Sequence, residues 1–173
     1  MKKYVISMAL VIVVIAAASC YFLLNREPEP ISIEYGDNGG ISANVYIPVE
    51  NTTGNLQCIF SGKFQTEEDS ASGGYIVSDM VEHKFDFQDT TAHKFDFQKK
   101  PFQYSYMYTD ALETQTHSDG RVTLTQPMDL VTHGVAVGNV LVKAEFLLDP
   151  SSGKLSVVSS SAVYTPFPDP EPE

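Results

Sequence analysis

Cysteine and positive charge are scarce in this 173-residue chain. Two cysteines are too few for a disulfide-dense scaffold or a four-cysteine zinc site. Only 11 Lys and Arg stand against 22 Asp and Glu, a net charge of -11. That balance excludes nucleic acid as a partner, because a phosphate backbone demands a basic face that releases its counterions. Charged residues amount to 19% and hydrophobic ones to 43%, so the chain is too apolar for general disorder. Ten Pro and 11 Gly are near average usage and rule out a collagen-like or linker-dominated chain. Catalytic signatures are missing as well. No Gly-x-Ser-x-Gly, His-Glu-x-x-His, Walker loop or dinucleotide fingerprint occurs, and the expectation is a protein without enzymatic activity, cofactor or metal.

One long apolar run is present. After Lys2 and Lys3 no charge occurs from Tyr4 to Leu24. As a helix rising about 1.5 Å per residue this stretch covers about 31 Å, the thickness of a bilayer's hydrocarbon core. The lysines before it and the single Arg26 after it orient the remainder of the chain outside the cytoplasm. Within the same run, Ala17-Ala18-Ser19-Cys20 resembles the lipobox of bacterial lipoproteins, which implies lipid on Cys20. Cleavage after Ala16-Ala17-Ala18 is a third route. All three export the body of the protein, and the Lys-rich start suggests a bacterial envelope. The expected location is therefore the bacterial cell envelope, periplasmic or extracellular, with the membrane as one partner and another envelope protein as the second.

The exported part begins with a stiff spacer, Arg26-Glu27-Pro28-Glu29-Pro30, and a tail of the same Pro-Glu character closes the chain from Pro166. The organisation expected is a signal anchor or lipoprotein signal over 1–25, a spacer over 26–30, one domain over 31–165 and an acidic tail over 166–173. Three bases, Lys2, Lys3 and Arg26, precede residue 27, whereas all 22 acids lie in residues 27–173, so the exported part is more acidic than the chain as a whole. Such a body is repelled from an anionic membrane surface.

Apolar alternation predicts strands over 31–35, 41–49, 55–64, 74–88, 93–98, 102–109, 121–126, 135–148 and 154–164. Turn clusters separate many of them, such as Gly36-Asp37-Asn38-Gly39-Gly40 and Asp149-Pro150-Ser151-Ser152-Gly153. Outside the anchor no stretch sustains helical periodicity. The fold expected is all-β, a single antiparallel β-sandwich of about nine strands, immunoglobulin-like or similar. Parity of the apolar set changes between Val137 and Val140, which predicts a bulge near Gly138-Asn139. Gln65 to Gly73, with Glu67-Glu68-Asp69, reads as a solvated acidic loop.

A duplication is the strongest local signal. His83-Lys84-Phe85-Asp86-Phe87-Gln88 recurs as His93-Lys94-Phe95-Asp96-Phe97-Gln98. As a hairpin, an odd-numbered loop pairs Phe87 with Phe95 on one buried face. A metal-dependent or hydrolytic site at His83 and His93 is the competing reading of the repeat, although no third ligand accompanies the two histidines on that face. A second signal is the stripe Phe102, Tyr104, Tyr106 and Tyr108, alternating with Gln103, Ser105 and Met107. Aromatic residues at period two form a core wall or, if their hydroxyls are exposed together, a ligand platform for a glycan or partner strand. Cys58 shares a face with Leu56 and Phe60 and reads as a buried, inert thiol.

Overall fold

The computed structural model describes residue 15, residues 29–52, 55–89 and 103–168, without the side chains of 103 and 104. The expected anchor over 4–24, apart from Ile15, and the repeat copy over 93–98 lie outside the described residues, as does Cys20. Every element among the described residues is a strand. In chain order they are β1 (Ile31–Tyr35), β2 (Gly40–Glu50), β3 (Leu56–Asp69), β4 (Gly74–Asp89), β5 (Gln103–Tyr108), β6 (Glu113–Thr116), β7 (Arg121–Thr132), β8 (Val135–Leu148) and β9 (Leu155–Pro166).

The all-β expectation holds, but the strands form one mixed sheet that nearly closes into a barrel. The order is β1-β2-β3-β4-β5-β7-β8-β9, with β6 added to β7. All neighbours run antiparallel except β2 and β9, which meet in parallel at Val49↔Ala162 and Glu50↔Val163 and bring the sheet round on itself. Two ladders can be traced, and β2 and β5 belong to both. β5 leaves β4 after Phe87↔Tyr104 and joins β7 at Ser105↔Val131. The ladders face each other across one core, where Phe146 of β8 packs against Phe60 and Phe64 of β3 at centroid distances of 5.6 and 5.1 Å.

Period-two alternation builds this core directly. Ile41, Ala43, Val45, Ile47 and Val49 of β2 are all buried, as are Leu56, Cys58, Phe60 and Phe64 of β3. The bulge expected near Gly138 is present: Leu130 pairs with Gly138 and Val131 with Ala136, leaving Val137 as the extra residue. The last hairpin forms as its sequence implies. Asp149 Oδ1 accepts bonds from the Ser151 amide at 2.8 Å and hydroxyl at 2.7 Å, and Gly153 takes the left-handed backbone (φ 66).

Three features depart from the sequence reading. Gln65 to Asp69 is strand rather than loop, because β3 continues to Asp69 opposite Gly74. Continuation requires two register shifts in which Val81 and Ser78 are the unpaired residues of β4. Second, β6 exists although Glu-Thr-Gln-Thr shows no apolar alternation; all four residues are exposed, as an edge strand permits. Third, β7 runs through Pro127 instead of stopping at Gln126. A proline needs a ladder position where no amide is required. β6 pairs with Val122 to Thr125 and β5 with Met128 to Val131, so Pro127 falls in the gap between these two neighbours. The buried Gln126 bridges that gap: its Nε2 donates to the carbonyls of Asp110 at 2.8 Å and Pro127 at 2.9 Å.

Candidate functional site

Among the described residues the sheet opens where β5 crosses from one ladder to the other, because β4 is paired along its length with β3 and meets β5 at Phe87 and Gln88 alone. Among the described residues the outer edge of β4 from Gly74 to Asp86 carries no ladder partner. Across from it stands the outer edge of β6. A cleft of about 120 Å³ separates them, bounded by Val77, Asp79 and Met80 on one side and by Thr114, Thr116 and Val122 on the other. The unpaired residues Ser78 and Val81 bend β4 here, which blunts this edge against simple strand addition.

Aromatic rings span the opening beside the cleft. His83 stacks edge-on to Phe85 at 6.2 Å, and Phe85 meets Tyr108 edge-on at 6.5 Å. Tyr108 meets Tyr106 at 5.3 Å, and Tyr106 meets Phe87 at 5.7 Å. Five rings from two strands thus make one row. Its inner members are fixed, since Phe85 and Phe87 are buried and Tyr106 is half-buried against the core. Its outer members are His83, which is exposed, and Tyr108, which is 48% exposed. Burial, with a hydrogen bond to Tyr108 second, pushes the Tyr106 hydroxyl well above its ordinary pKa. It therefore stays protonated and serves as a hydrogen-bonding group.

The tyrosine stripe expected from the sequence is accordingly split by depth. Tyr106 and Tyr108 lie opposite Leu130 and Met128, on the face that also carries the core. Tyr106 forms wall, and Tyr108, the last residue of β5, reaches solvent. Phe102 and the side chain of Tyr104 lie outside the described residues. Of the duplicated histidines, His83 is described and His93 is not. The hairpin register expected for the repeat, with Phe95 opposite Phe87, meets a correction at Phe87 itself: its two cross-strand neighbours are Cys58 in β3 and Tyr104 in β5.

Cys58 behaves as its sequence position implies. It is fully buried, and burial, followed by the negative charge of Asp86, pushes its thiol up to about 12. A thiol held protonated is not a nucleophile at neutral pH. Among the described residues, no group of three or more His, Cys, Asp and Glu side chains is placed to hold a metal ion. Two other concavities lie over β2 and β3. One, of about 220 Å³, sits on the outer face over Ser42, Asn44, Ser61 and Lys63. Its polar groups are mutually engaged, with Ser61 donating to Asn44 at 2.8 Å and Lys63 paired with Glu82. The other, of about 380 Å³, is an open depression beside the β1–β2 turn at Tyr35, Asp37 and Asn38. Tyr35 has a structural task there, because its hydroxyl donates to the Leu155 carbonyl at 3.3 Å and accepts from the Leu155 amide at 3.2 Å, tying β1 to β9.

Comparison of the chain with family models, with curated proteins and with solved structures finds no match.

Proposed function

We propose that the chain is a membrane-held protein of a bacterial cell envelope, and that its exported β domain is a non-catalytic module binding another envelope protein through the ring row at the β4–β5 opening. The observation that carries this reading is the setting of Tyr108. Its ring is half-exposed and rests on Phe85 and Tyr106, which the core holds in place. A rigidly backed tyrosine offers an apolar face and a polar tip at little entropic cost, which is what binding hot spots use. In this reading the domain works as a flattened, sandwich-like barrel. Residues 4–24, or lipid on Cys20, hold it at the membrane, and the Pro-Glu spacer keeps its acidic body clear of the lipid surface.

The test is to purify the full chain from its native envelope in mild detergent as wild type, Tyr108→Ala and Val158→Ala. Val158 is exposed on β9, away from the row, and serves as the control. A protein that accompanies wild type and Val158→Ala but not Tyr108→Ala, with circular dichroism unchanged, is the expected result. Identical companions for all three variants would remove the reading. A glycan is the alternative occupant, since the exposed Tyr108 ring is also suited to stacking on a sugar. The chain has no tryptophan, so tyrosine emission reports binding without interference. A sugar response abolished in Tyr108→Ala replaces the protein partner by a glycan. Intact mass of the membrane form separates an uncut anchor from lipidated Cys20 and from cleavage after Ala18.

A further inference from the structure

The turn between β1 and β2 carries two neighbours whose chemistry the fold leaves unrestrained. Of the six asparagines in the chain, Asn38 alone precedes a glycine. A side-chain amide is open to attack by the backbone nitrogen of the next residue, and glycine, lacking a Cβ, leaves that approach clear. The fold demands glycine at 39, since its φ is 75 and a Cβ there would stand 2.9 Å from the Thr66 carbonyl oxygen. Both carbonyls of the turn are held from β3. Gln65 Nε2 donates to the Asn38 carbonyl at 2.8 Å, and the Thr66 amide and hydroxyl donate to the Gly39 carbonyl at 3.0 and 2.8 Å. The Asn38 side chain is exposed, and among the described residues neither it nor the Gly39 amide makes a hydrogen bond. The bond from Gln65 also draws electron density from the peptide joining Asn38 to Gly39, which makes its N–H easier to deprotonate.

We propose that Asn38 is a site of self-modification in the folded protein, with water as the co-reactant. The deprotonated Gly39 nitrogen attacks Asn38 Cγ, the bond from Cγ to the side-chain nitrogen breaks, and ammonia leaves as a five-membered succinimide closes. Water then opens the ring at either carbonyl. Cleavage between the ring nitrogen and Cγ returns aspartate in ordinary linkage; cleavage at the α-carbonyl leaves isoaspartate, whose backbone runs through Cβ and Cγ. Asp119-Gly120 is open in sequence to the same closure, with water leaving in place of ammonia, but the structure restrains it. The Asp119 carboxylate accepts from the Arg121 amide at 3.3 Å and from its Nε at 2.8 Å, and the Gly120 amide donates to the His117 carbonyl at 3.1 Å. Asn44 and Asn139 are held as well, the first by Ser32 and Ser61 and the second by Asp129, and each precedes a valine fixed in a ladder. Isoaspartate lengthens the turn by one carbon and sets a charge beside Asp37, so the bonds to Gln65 and Thr66 no longer fit. β1, which links the domain to residues 1–28, then depends on its ladder with β2 and on the Tyr35 tie to Leu155.

The experiment incubates the full chain, folded in mild detergent or unfolded in urea, in warm, mildly alkaline water enriched in heavy oxygen. Peptide mapping by mass spectrometry then locates every residue that has taken up the label and separates isoaspartate from aspartate. Asn38 should convert in the folded chain at a rate close to its rate in urea. Asp119 should convert in urea but be slowed at least about tenfold by folding, because a charge-assisted and a neutral hydrogen bond must break first. An Asn38 left unchanged in the folded chain, or slowed by folding as much as Asp119, overturns the proposal. Thermal unfolding reads the consequence for the turn. Fresh Asn38→Asp carries the new charge in ordinary linkage and should melt close to fresh wild type, whereas aged wild type should gain a population melting a few degrees lower, the loss of about one net hydrogen bond. Aged wild type that melts with Asn38→Asp overturns the loosening of β1.

Discussion

Replacing Gly62 by alanine tests the packing that supports the ring row. Gly62 lies on β3 between Phe60 and Phe64, on the face that carries the core. A Cβ there would stand 2.5 Å from Phe60 Cζ, 2.8 Å from Phe60 Cε1 and 3.3 Å from Phe64 Cε2. Its backbone is not among the positive-φ positions, so alanine meets no conformational barrier. Two terms of opposite sign compete. Restricting the unfolded chain stabilises by about 0.4–1 kcal/mol, whereas overpacking a close-packed core costs about 1–3 kcal/mol. The Phe60 ring has little freedom to move aside, being fully buried with Phe85 at 5.2 Å and Phe146 at 5.6 Å. Overpacking should therefore win, with a net loss of about 1–2 kcal/mol. In urea unfolding with a slope of about 2 kcal/mol/M, the midpoint falls by roughly 0.5–1 M. Adding Phe60→Leu removes the clashing carbon, so the double variant should lose less than the two single losses combined, by at least about 0.5 kcal/mol. A midpoint unchanged or raised in Gly62→Ala, or strict additivity with Phe60→Leu, would refute the packing argument.

Further outcomes follow from the same geometry. Phe146→Ala should cost about 3–5 kcal/mol, because it empties the contact between the two ladders; chemical denaturation of the full chain checks this, and a loss under about 1 kcal/mol contradicts it. Cys58 should resist a thiol reagent at pH 8 until urea unfolds the domain, and labelling that precedes unfolding would place the thiol elsewhere than the core. Its folded pKa of about 12 lies above the ordinary 9.0, so the folded state retains a proton that the unfolded state loses. Stability is therefore complete below pH 9 and declines as pH rises toward 12, with Tyr106 acting in the same sense; in Cys58→Ala the decline should be shallower. Asp149 is shifted the other way, down to about 2, first by the Ser151 hydroxyl and then by the Ser152 hydroxyl. Its stabilising bonds persist above the ordinary 3.8 and disappear as pH falls through 2, and a carboxyl resonance titrating near 4 would show that the turn bonds are not made.

Much of the fold is legible in the sequence because alternation is a local signal. Val140, Val142, Ala144, Phe146 and Leu148 announce one buried face, and the parity change before them locates the bulge at Val137. What alternation does not carry is closure. The contact of Val49 with Ala162 joins distant parts of the chain in parallel, and no property of either segment specifies it. β6 is equally silent, since an edge strand exposed at all four residues has no apolar face to display. Pro127 shows the opposite case: a residue that locally ends a strand is tolerated because the neighbouring strand changes at that point. The candidate site was visible as a tyrosine stripe, but its division into wall and exposed tip was not. That division depends on where β5 parts from β4, which is a property of two ladders and not of one strand.

The central claim is that the ring row faces a protein partner in the envelope. Site-specific photocrosslinking in living cells tests it most directly, with a photoreactive phenylalanine analogue placed at His83 or at Val158. Both positions are exposed, and only the first belongs to the row. The expected result is a discrete adduct with one envelope protein from position 83, lost when Tyr108→Ala is added, and none from position 158. No adduct from position 83, or the same adduct from both positions, would contradict it.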